Sequence, residues 1–443
     1  MEVIEPPQTN TTLFNSFTDW GTFWKYVTGK TRHTGFRKYL KNTGWMFLAQ
    51  MGNLISLAVN ILLARYLGPT NFGILSYIFA FVGLFAFLSN LGISGILVRD
   101  LVKYPEKRDE LLGTAFWLLT SGGILAFCLV IISSFIFEST PIIRTMIILY
   151  STIFLWSPIG VISYYFQATV QGKKIAFAQI LNTIIVSIVK IILIIASKGI
   201  IWLTLIFTLD FIIGGIINIY IYTASGLKIR LWKFNLSLAK DFIYSSWFLM
   251  LSAIAGYLLL RIDQVMVKFY LGSTEVGLYA VAVRLSEIWY FIPGIICASL
   301  FPAIINAKKT NKEMYLGRLR KLYVLMGGIA FLIAIPVTAL APWIIKILFG
   351  IQYIASVPVL QIYVWSGIGL FVSTAIIQYF TAENYLKTIF YYNLLAVIMN
   401  IILNIILIPK IGLTGAAWST LVSYSIGPII VLVADRFPVI KKL

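Results

Sequence analysis

The sequence predicts an all-α integral membrane protein of about twelve transmembrane helices, arranged as two pseudo-symmetric six-helix lobes around a central cavity. Three observations predict it. First, 60% of the 443 residues are hydrophobic and 12% charged, against roughly 45–50% and about 25% in soluble domains. Second, the apolar residues fall into repeated runs of about 18 to 25, the length a helix needs to cross a bilayer. Third, a short motif near the start returns in the second half.

The first 42 residues contain no run of spanning length. Glu2, Glu5, Pro6 and Pro7 do not fit the charged-then-apolar layout of a cleavable signal peptide. Phe14, Phe17, Trp20, Trp24 and Val27 recur at helical spacing and lead to Lys30, Arg32, Arg37, Lys38 and Lys41. This segment reads either as an interfacial helix with a basic juxtamembrane stretch or as a tail.

The spans then follow in order. Thr43–Ala64 and Phe72–Ile93 precede a loop carrying Arg99 to Arg108, and Leu111–Phe137 with Pro141–Tyr165 precedes Lys173 and Lys174. Ile175–Ala196 and Ile200–Thr223 complete a first bundle over 43–224. A basic linker, 225–241, carries Lys228 to Lys240. The second bundle, 242–434, opens with Phe242–Tyr270 and Val276–Ile305, ahead of a cationic loop from Lys308 to Lys321. Leu322–Leu348, Ile354–Phe380, Ile389–Ile408 and Leu413–Val433 follow, then a tail over 435–443 with Arg436, Lys441 and Lys442.

Net charge is +19. The terminal segments and even-numbered loops hold 26 of the 35 Lys and Arg residues, whereas Arg65, Arg144, Lys198, Lys268, Lys346 and Lys410 lie toward the other side. The positive-inside rule therefore expects both termini in the cytoplasm of a multi-pass protein of the cytoplasmic (inner) membrane. Charge scattered over loops in this way also argues against nucleic acid as a partner. Cys128 and Cys297 sit in separate apolar runs, as small buried hydrophobes do, and give a disulfide little support. Hydrophilic stretches are too short for a catalytic domain outside the membrane, so function is expected among the helices.

At an offset of 204, Tyr66, Leu67, Gly68, Thr70 and Gly73 match Tyr270, Leu271, Gly272, Thr274 and Gly277. At an offset of 213, Lys174 matches Lys387 and Gly199 matches Gly412. An even number of spans per copy makes the two bundles parallel, related by an axis along the membrane normal.

Ionisable side chains within spans cost roughly 2.5–3.5 kcal/mol each unless they face water or a partner. Lys190, Asp210, Arg261, Asp263, Arg284 and Glu287 are such residues. At about 1.5 Å per residue from the outer span ends they form one layer, roughly 10–20 Å deep. Lys190 and Asp210, at similar depth on consecutive helices, fit either a structural ion pair or a cavity wall. Arg261 and Asp263 are two apart and point to different faces, so one is expected at the cavity while the other pairs with Arg284 or Glu287. Forked arginine donors suit phosphate or carboxylate.

Enzyme signatures are missing. Gly29-Lys30-Thr31 is not a phosphate-binding loop, because Trp24 stands where its first glycine belongs. The single histidine, His33, argues against a histidine base or a histidine-rich metal site. There is no paired-aspartate metal motif, and no cofactor is expected. Asn10-Thr11-Thr12 and Asn235-Leu236-Ser237 match a glycosylation pattern but lie on the expected cytoplasmic side.

The run Ala64-Arg65-Tyr66-Leu67-Gly68-Pro69-Thr70-Asn71-Phe72-Gly73, followed by Asn90-Leu91-Gly92 and Arg99, resembles the opening of the polysaccharide exporter, or oligosaccharide flippase, family. Asp263, Tyr270-Leu271-Gly272, Val276-Gly277-Leu278-Tyr279 and Arg284 resemble its seventh and eighth helices, and Gly412-Leu413-Thr414-Gly415-Ala416-Ala417 the start of its last. The resemblance covers about Leu40 to Phe437. It implies a non-enzymatic transporter of the multidrug, oligosaccharidyl-lipid and polysaccharide exporter superfamily, flipping a polyprenyl-pyrophosphate-linked oligosaccharide during cell-surface polysaccharide or lipopolysaccharide biosynthesis. Membrane lipid and a polysaccharide assembly machinery are the implied partners. Arg261 and Arg284, with Arg65 and Lys190, are then expected to attract the anionic head group, and Asp210, Asp263 or Glu287 to form ion pairs or couple transport to protons. The alternatives are a drug or metabolite antiporter of the same superfamily, whose cavity would favour unpaired carboxylates, and a membrane-embedded polymerase or ligase, which would need a sizeable outer loop.

Overall fold

A computed structural model describes residues 34–383 and 385–433, and all regular structure among them is helical. The expected interfacial helix at 14–27, the Gly29-Lys30-Thr31 and Asn10-Thr11-Thr12 triplets, His33 and the tail beyond 433 lie outside the described residues.

The first helix, α1 (Thr34–Gly83), contains two segments that meet at Gly68, with φ 69° and ψ 172°, followed by Pro69. Only glycine adopts that conformation cheaply. It starts earlier than the expected Thr43, because Arg37, Lys38 and Lys41 are good helix formers and simply extend it. The next segments, α2 (Ala86–Asn90) and α3 (Ser94–Lys103), leave the line of α1 by 52°. The bend falls at Leu84 and Phe85, between α1 and α2, and a second interruption at Leu91 and Gly92, both with positive φ, separates α2 from α3. The expected span Phe72–Ile93 is thus longer and bent.

The strut behind that bend is α4 (Arg108–Phe137). A Cβ on its Gly122 would collide with the Leu88 carbonyl, and one on Gly123 with the Phe154 carbonyl. Small residues let these backbones touch, as in other membrane helix packings. The chain continues through α5 (Pro141–Ser151), α6 (Ile153–Trp156), a 3₁₀ turn at Ser157–Gly160 and α7 (Val161–Ala168), together one candidate span. Then come α8 (Gly172–Ile195) and α9 (Ile200–Ala224).

The second half comprises α10 (Leu236–Leu271), α11 (Ser273–Glu287), α12 (Phe291–Thr310) and α13 (Lys312–Leu348). It ends with α14 (Val357–Tyr363), α15 (Ser366–Ala382), α16 (Leu386–Ile411) and α17 (Leu413–Val433). Among the described residues, eight helices are long and apolar enough to cross a membrane, and up to ten if each of two bent pairs is one span. Gly272, with φ 106° and ψ −177°, separates α10 from α11 as Gly68 divides α1. The second repeat is less faithful: Gly412 has φ 66°, whereas Gly199 has φ −67° and the left-handed residue there is Ser197.

Packing divides the apolar interior. One cluster belongs to the first half and includes Leu112, Val161, Phe166 and Tyr222. Ala239 and Phe242, from the first turns of α10, also join it. Another, with Cys297, Met326, Phe371 and Phe380, belongs to the second half. The third joins Leu63, Phe72 and Leu75 of α1 to Tyr279 and Val281 of α11, Ile345, Tyr353 and Tyr363. The halves are therefore fused at the end marked by Gly68 and Gly272. There Tyr353 Oη donates to the Ala64 carbonyl at 2.8 Å and Gln352 Nε2 to the Arg65 carbonyl at 3.0 Å.

At the opposite end the linker is pinned to the first half. Lys233 N–H donates to the Asp109 carbonyl at 3.1 Å, against Gly113, which leaves no room for a Cβ. Asn235 caps α10, its side chain accepting from Ser237 N at 2.9 Å and Leu238 N at 3.4 Å. The Asn-Leu-Ser triplet is thus a helix start.

Candidate functional site

Between the halves lies a cavity of about 600 Å³, walled by Leu54, Ser56, Leu57 and Asn60 of α1, Phe207, Asp210 and Phe211 of α9, and Arg284 and Glu287 of α11. A second chamber of about 370 Å³ is lined by Ser76, Gly83, Tyr257, Arg261 and Gln264. Phe79, Tyr150, Arg284 and Glu287 line both chambers. The two spaces therefore share one charged and aromatic wall.

Helical spacing builds that wall. Arg284 and Glu287 are three apart and share a face of α11. Arg261 comes from the neighbouring α10, its Nη1 3.9 Å from Glu287 Oε2. Gly83 faces its aliphatic stem, and a Cβ there would lie at ordinary contact distance, 3.5 Å, from Arg261 Cγ. Arg284 has no carboxylate within ion-pair reach among the described residues. Its guanidinium instead lies over the Phe72 ring, 4.7 Å from the centroid. Glu287 keeps one oxygen, Oε1, buried without a hydrogen-bond partner among the described residues.

Asp263 is oriented elsewhere. Two residues along a helix turn the side chain by about 200°, and Asp263, 1% exposed, faces into the second half. It accepts from Tyr279 Oη at 2.5 Å and from Gln264 N at 2.7 Å, with Thr420 Oγ1 3.5 Å from the same tyrosine oxygen. Arg261 thus both lines the second chamber and pairs with Glu287, so the expected division of those two roles between Arg261 and Asp263 does not occur.

In the first half Asp210 lines the larger chamber and accepts from Asn182 Nδ2 at 2.6 Å. Lys190 makes no ion pair with it. Its Nζ lies 3.7 Å from the centre of the Phe207 ring, behind the chamber wall. The oxygens Asn60 Oδ1 and Asn182 Oδ1 are buried without partners among the described residues. Arg65 is outside both chambers: its Nη2 donates to the Ile347 carbonyl at 2.7 Å, across the fused end of the halves.

The aromatic wall was not singled out by charge. Phe79 packs against Tyr150 and Phe207 with centroids 4.6 and 4.7 Å apart. In a chain with 15% aromatic residues, no sequence signal separates these rings from ordinary lipid-facing ones. A further cavity of about 490 Å³ lies between α3 and α10, where Arg99, Lys103 and Lys107 meet Asp100 and Asp241.

Solved structures share the architecture. The lipid II flippase MurJ in an inward closed conformation superimposes with a TM-score of 0.65 at 18% identity, covering 87% of this chain and 86% of that one. A multidrug resistance MATE family transporter of the MOP superfamily, inward-facing, gives 0.62 at 15% identity, covering 86% and 92%. At such identities the likeness is one of fold.

Among curated proteins, the probable flippase AglR of Haloferax volcanii is 30% identical over 176 residues, 38% of this chain and 36% of that protein. The probable low-salt glycan biosynthesis flippase Agl15 of the same organism is 23% identical over 49% of this chain and 47% of its own length. The teichuronic acid biosynthesis protein TuaB of Bacillus subtilis is 23% identical over 60% and 56%. The matches thus span between about a third and a little over half of these relatives. A family model described as polysaccharide biosynthesis protein matches residues 39–308, more than half of the chain. The chain belongs to the polysaccharide biosynthesis protein family of integral membrane proteins.

Proposed function

We propose that the chain is a flippase carrying a polyprenyl-pyrophosphate-linked oligosaccharide across the cytoplasmic membrane for cell-surface polysaccharide assembly. The observation that carries this reading is the charged wall between the two chambers, where Arg284, which lines both, and Arg261, which lines the smaller, stand with Glu287. Arginine forks pair with phosphate oxygens two at a time. The names of AglR and Agl15 point the same way.

In this reading the pyrophosphate sits on Arg284 and Arg261, the sugar lies along Phe79, Tyr150 and Phe207, and the polyprenyl chain stays in lipid. Lys190, behind Phe207, adds positive potential to the chamber without touching the ligand. Arg65, held on Ile347, belongs to the closure of the fused end. Segments 43–224 and 242–434 are the two bodies that rock to change access, with both termini cytoplasmic. Asp210, Glu287 and the enclosed Asp263 are the carboxylates available to couple that motion to a cation.

The test is complementation of a host lacking its own flippase, with expression of the chain confirmed in the membrane. The wild type restores surface polysaccharide, and Arg284→Ala and Arg261→Ala, inserted to equal levels, do not. Equal rescue by both variants removes the arginine wall from the mechanism. In parallel, purified protein is analysed by mass spectrometry for co-purified lipid, and finding only phospholipid after wild-type rescue has failed would refute the proposed cargo.

A further inference from the structure

We propose that Glu287 is an internal stand-in for the substrate's phosphate, a carboxylate that occupies the arginine wall of the empty carrier and sets a binding threshold that polyanionic head groups exceed. This inference rests on the flippase reading above and adds a specificity residue to it.

Three features carry it. Glu287 is the carboxylate of a wall that also holds Arg261 and Arg284, and it borders both chambers. Its grip is loose: Oε2 is 3.9 Å from Arg261 Nη1, beyond hydrogen-bond length, while Oε1 is buried and accepts nothing from the described residues. Arg284, one helical turn earlier on the same face, has no carboxylate within ion-pair reach among the described residues and rests on the Phe72 ring. A structural ion pair would use short, directed bonds. Here one acid is shared, at long range, by a site with two forked donors.

The consequence is a charge threshold. Where the chambers meet, two arginines face one glutamate, and the other lining carboxylate, Asp210 on α9, is held by Asn182. A neutral sugar displaces nothing. A monophosphate gains little by exchanging with a carboxylate already present, whereas a pyrophosphate brings more charge and more acceptor oxygens than Glu287 supplies. After release Glu287 returns to the guanidinium groups, which lowers the cost of emptying the site.

Farnesyl pyrophosphate and farnesyl monophosphate, titrated into detergent-purified full-length protein, provide the test. Removing one like charge about 4 Å from the ligand in a wet cavity is worth roughly a fivefold change in affinity. Glu287→Gln is expected to bind both probes about fivefold or more tightly, the pyrophosphate gaining at least as much as the monophosphate, and to slow turnover in the complementation host. Glu287→Asp, which keeps the charge but shortens the reach, is expected between wild type and E287Q. Arg284→Ala is expected to lose binding.

If wild type binds and R284A does not, while E287Q and Glu287→Asp bind no tighter than wild type, Glu287 is structural and the inference is overturned with the flippase reading intact. If neither wild type nor any variant binds either probe, both fall together. Thermal midpoints of all variants, measured in the same detergent, separate loss of fold from loss of binding.

Discussion

Thr70 and Thr274, 204 residues apart in sequence, meet hydroxyl to hydroxyl at 2.9 Å. Around them the contact is reciprocal. Gly73 leaves room for the Ser273 carbonyl, and Gly277 leaves room for the Pro69 carbonyl. Each partner maps onto its counterpart by the same offset, so the two copies of the motif touch across an approximate twofold axis. An inter-half hydrogen bond on that axis can break and re-form without favouring either half.

Locking this contact is expected to stop transport. With the oxygens at 2.9 Å, a Thr70→Cys/Thr274→Cys pair needs only a small adjustment to reach disulfide geometry. Oxidation should abolish surface polysaccharide in the complementation host and reductant should restore it, the bridge being followed by mass spectrometry. Efficient bridging with undiminished transport would show that the halves do not part here.

Filling the glycine contact should force the fused end apart. A side chain at Gly73 or Gly277 meets backbone carbonyls, which cannot rotate aside. Overpacking typically costs about 1–3 kcal/mol, so Gly73→Val and Gly277→Val are expected to lower the thermal midpoint. They should also raise the labelling of a cysteine placed at Thr70 by a membrane-impermeant maleimide. An unchanged midpoint together with unchanged labelling would contradict the close approach.

Asp263 and Tyr279 should behave as one unit. The tyrosine hydroxyl donates to a carboxylate that is 1% exposed, and hydrogen bonds to charged groups contribute about 1.5–3 kcal/mol. Tyr279→Phe and Asp263→Ala are each expected to reduce stability, and the double variant to lose less than their sum. Because neither lines the chambers, affinity for farnesyl pyrophosphate should survive in Tyr279→Phe. Additive losses in a thermal-shift cycle would show that the bond contributes nothing.

Lys190 presents the opposite case. It is 5% exposed and rests on Phe207 at 3.7 Å instead of on a carboxylate. Replacing a buried charge by an apolar chain of similar length is often neutral or stabilising. Lys190→Met is therefore expected to hold or raise the thermal midpoint while lowering transport, through loss of positive potential at the chamber. A large drop in the midpoint would instead make Lys190 a structural keystone.

Much of the scaffold was legible in the sequence. Apolar runs of spanning length marked the helices, because lipid tolerates no unpaired backbone and leaves the helix as the open choice. Gly68 and Gly272 marked equivalent breaks, because their backbone conformations exclude other residues. The layer of Lys190, Asp210, Arg261, Asp263, Arg284 and Glu287 stood out because charge within a span needs a reason.

What the tertiary structure alone decided is where each of those side chains points. Arg284 and Glu287 reach the cavity, Asp263 turns to Tyr279, Lys190 lies on Phe207, and Arg65 crosses to Ile347. Periodicity fixes the angle between residues on one helix, but the rotation of that helix against its neighbours comes from packing. Here that packing is set by close backbone approaches at Gly73, Gly122, Gly123 and Gly277. Such contacts join residues far apart in the chain, and local sequence carries no record of the partner they will meet.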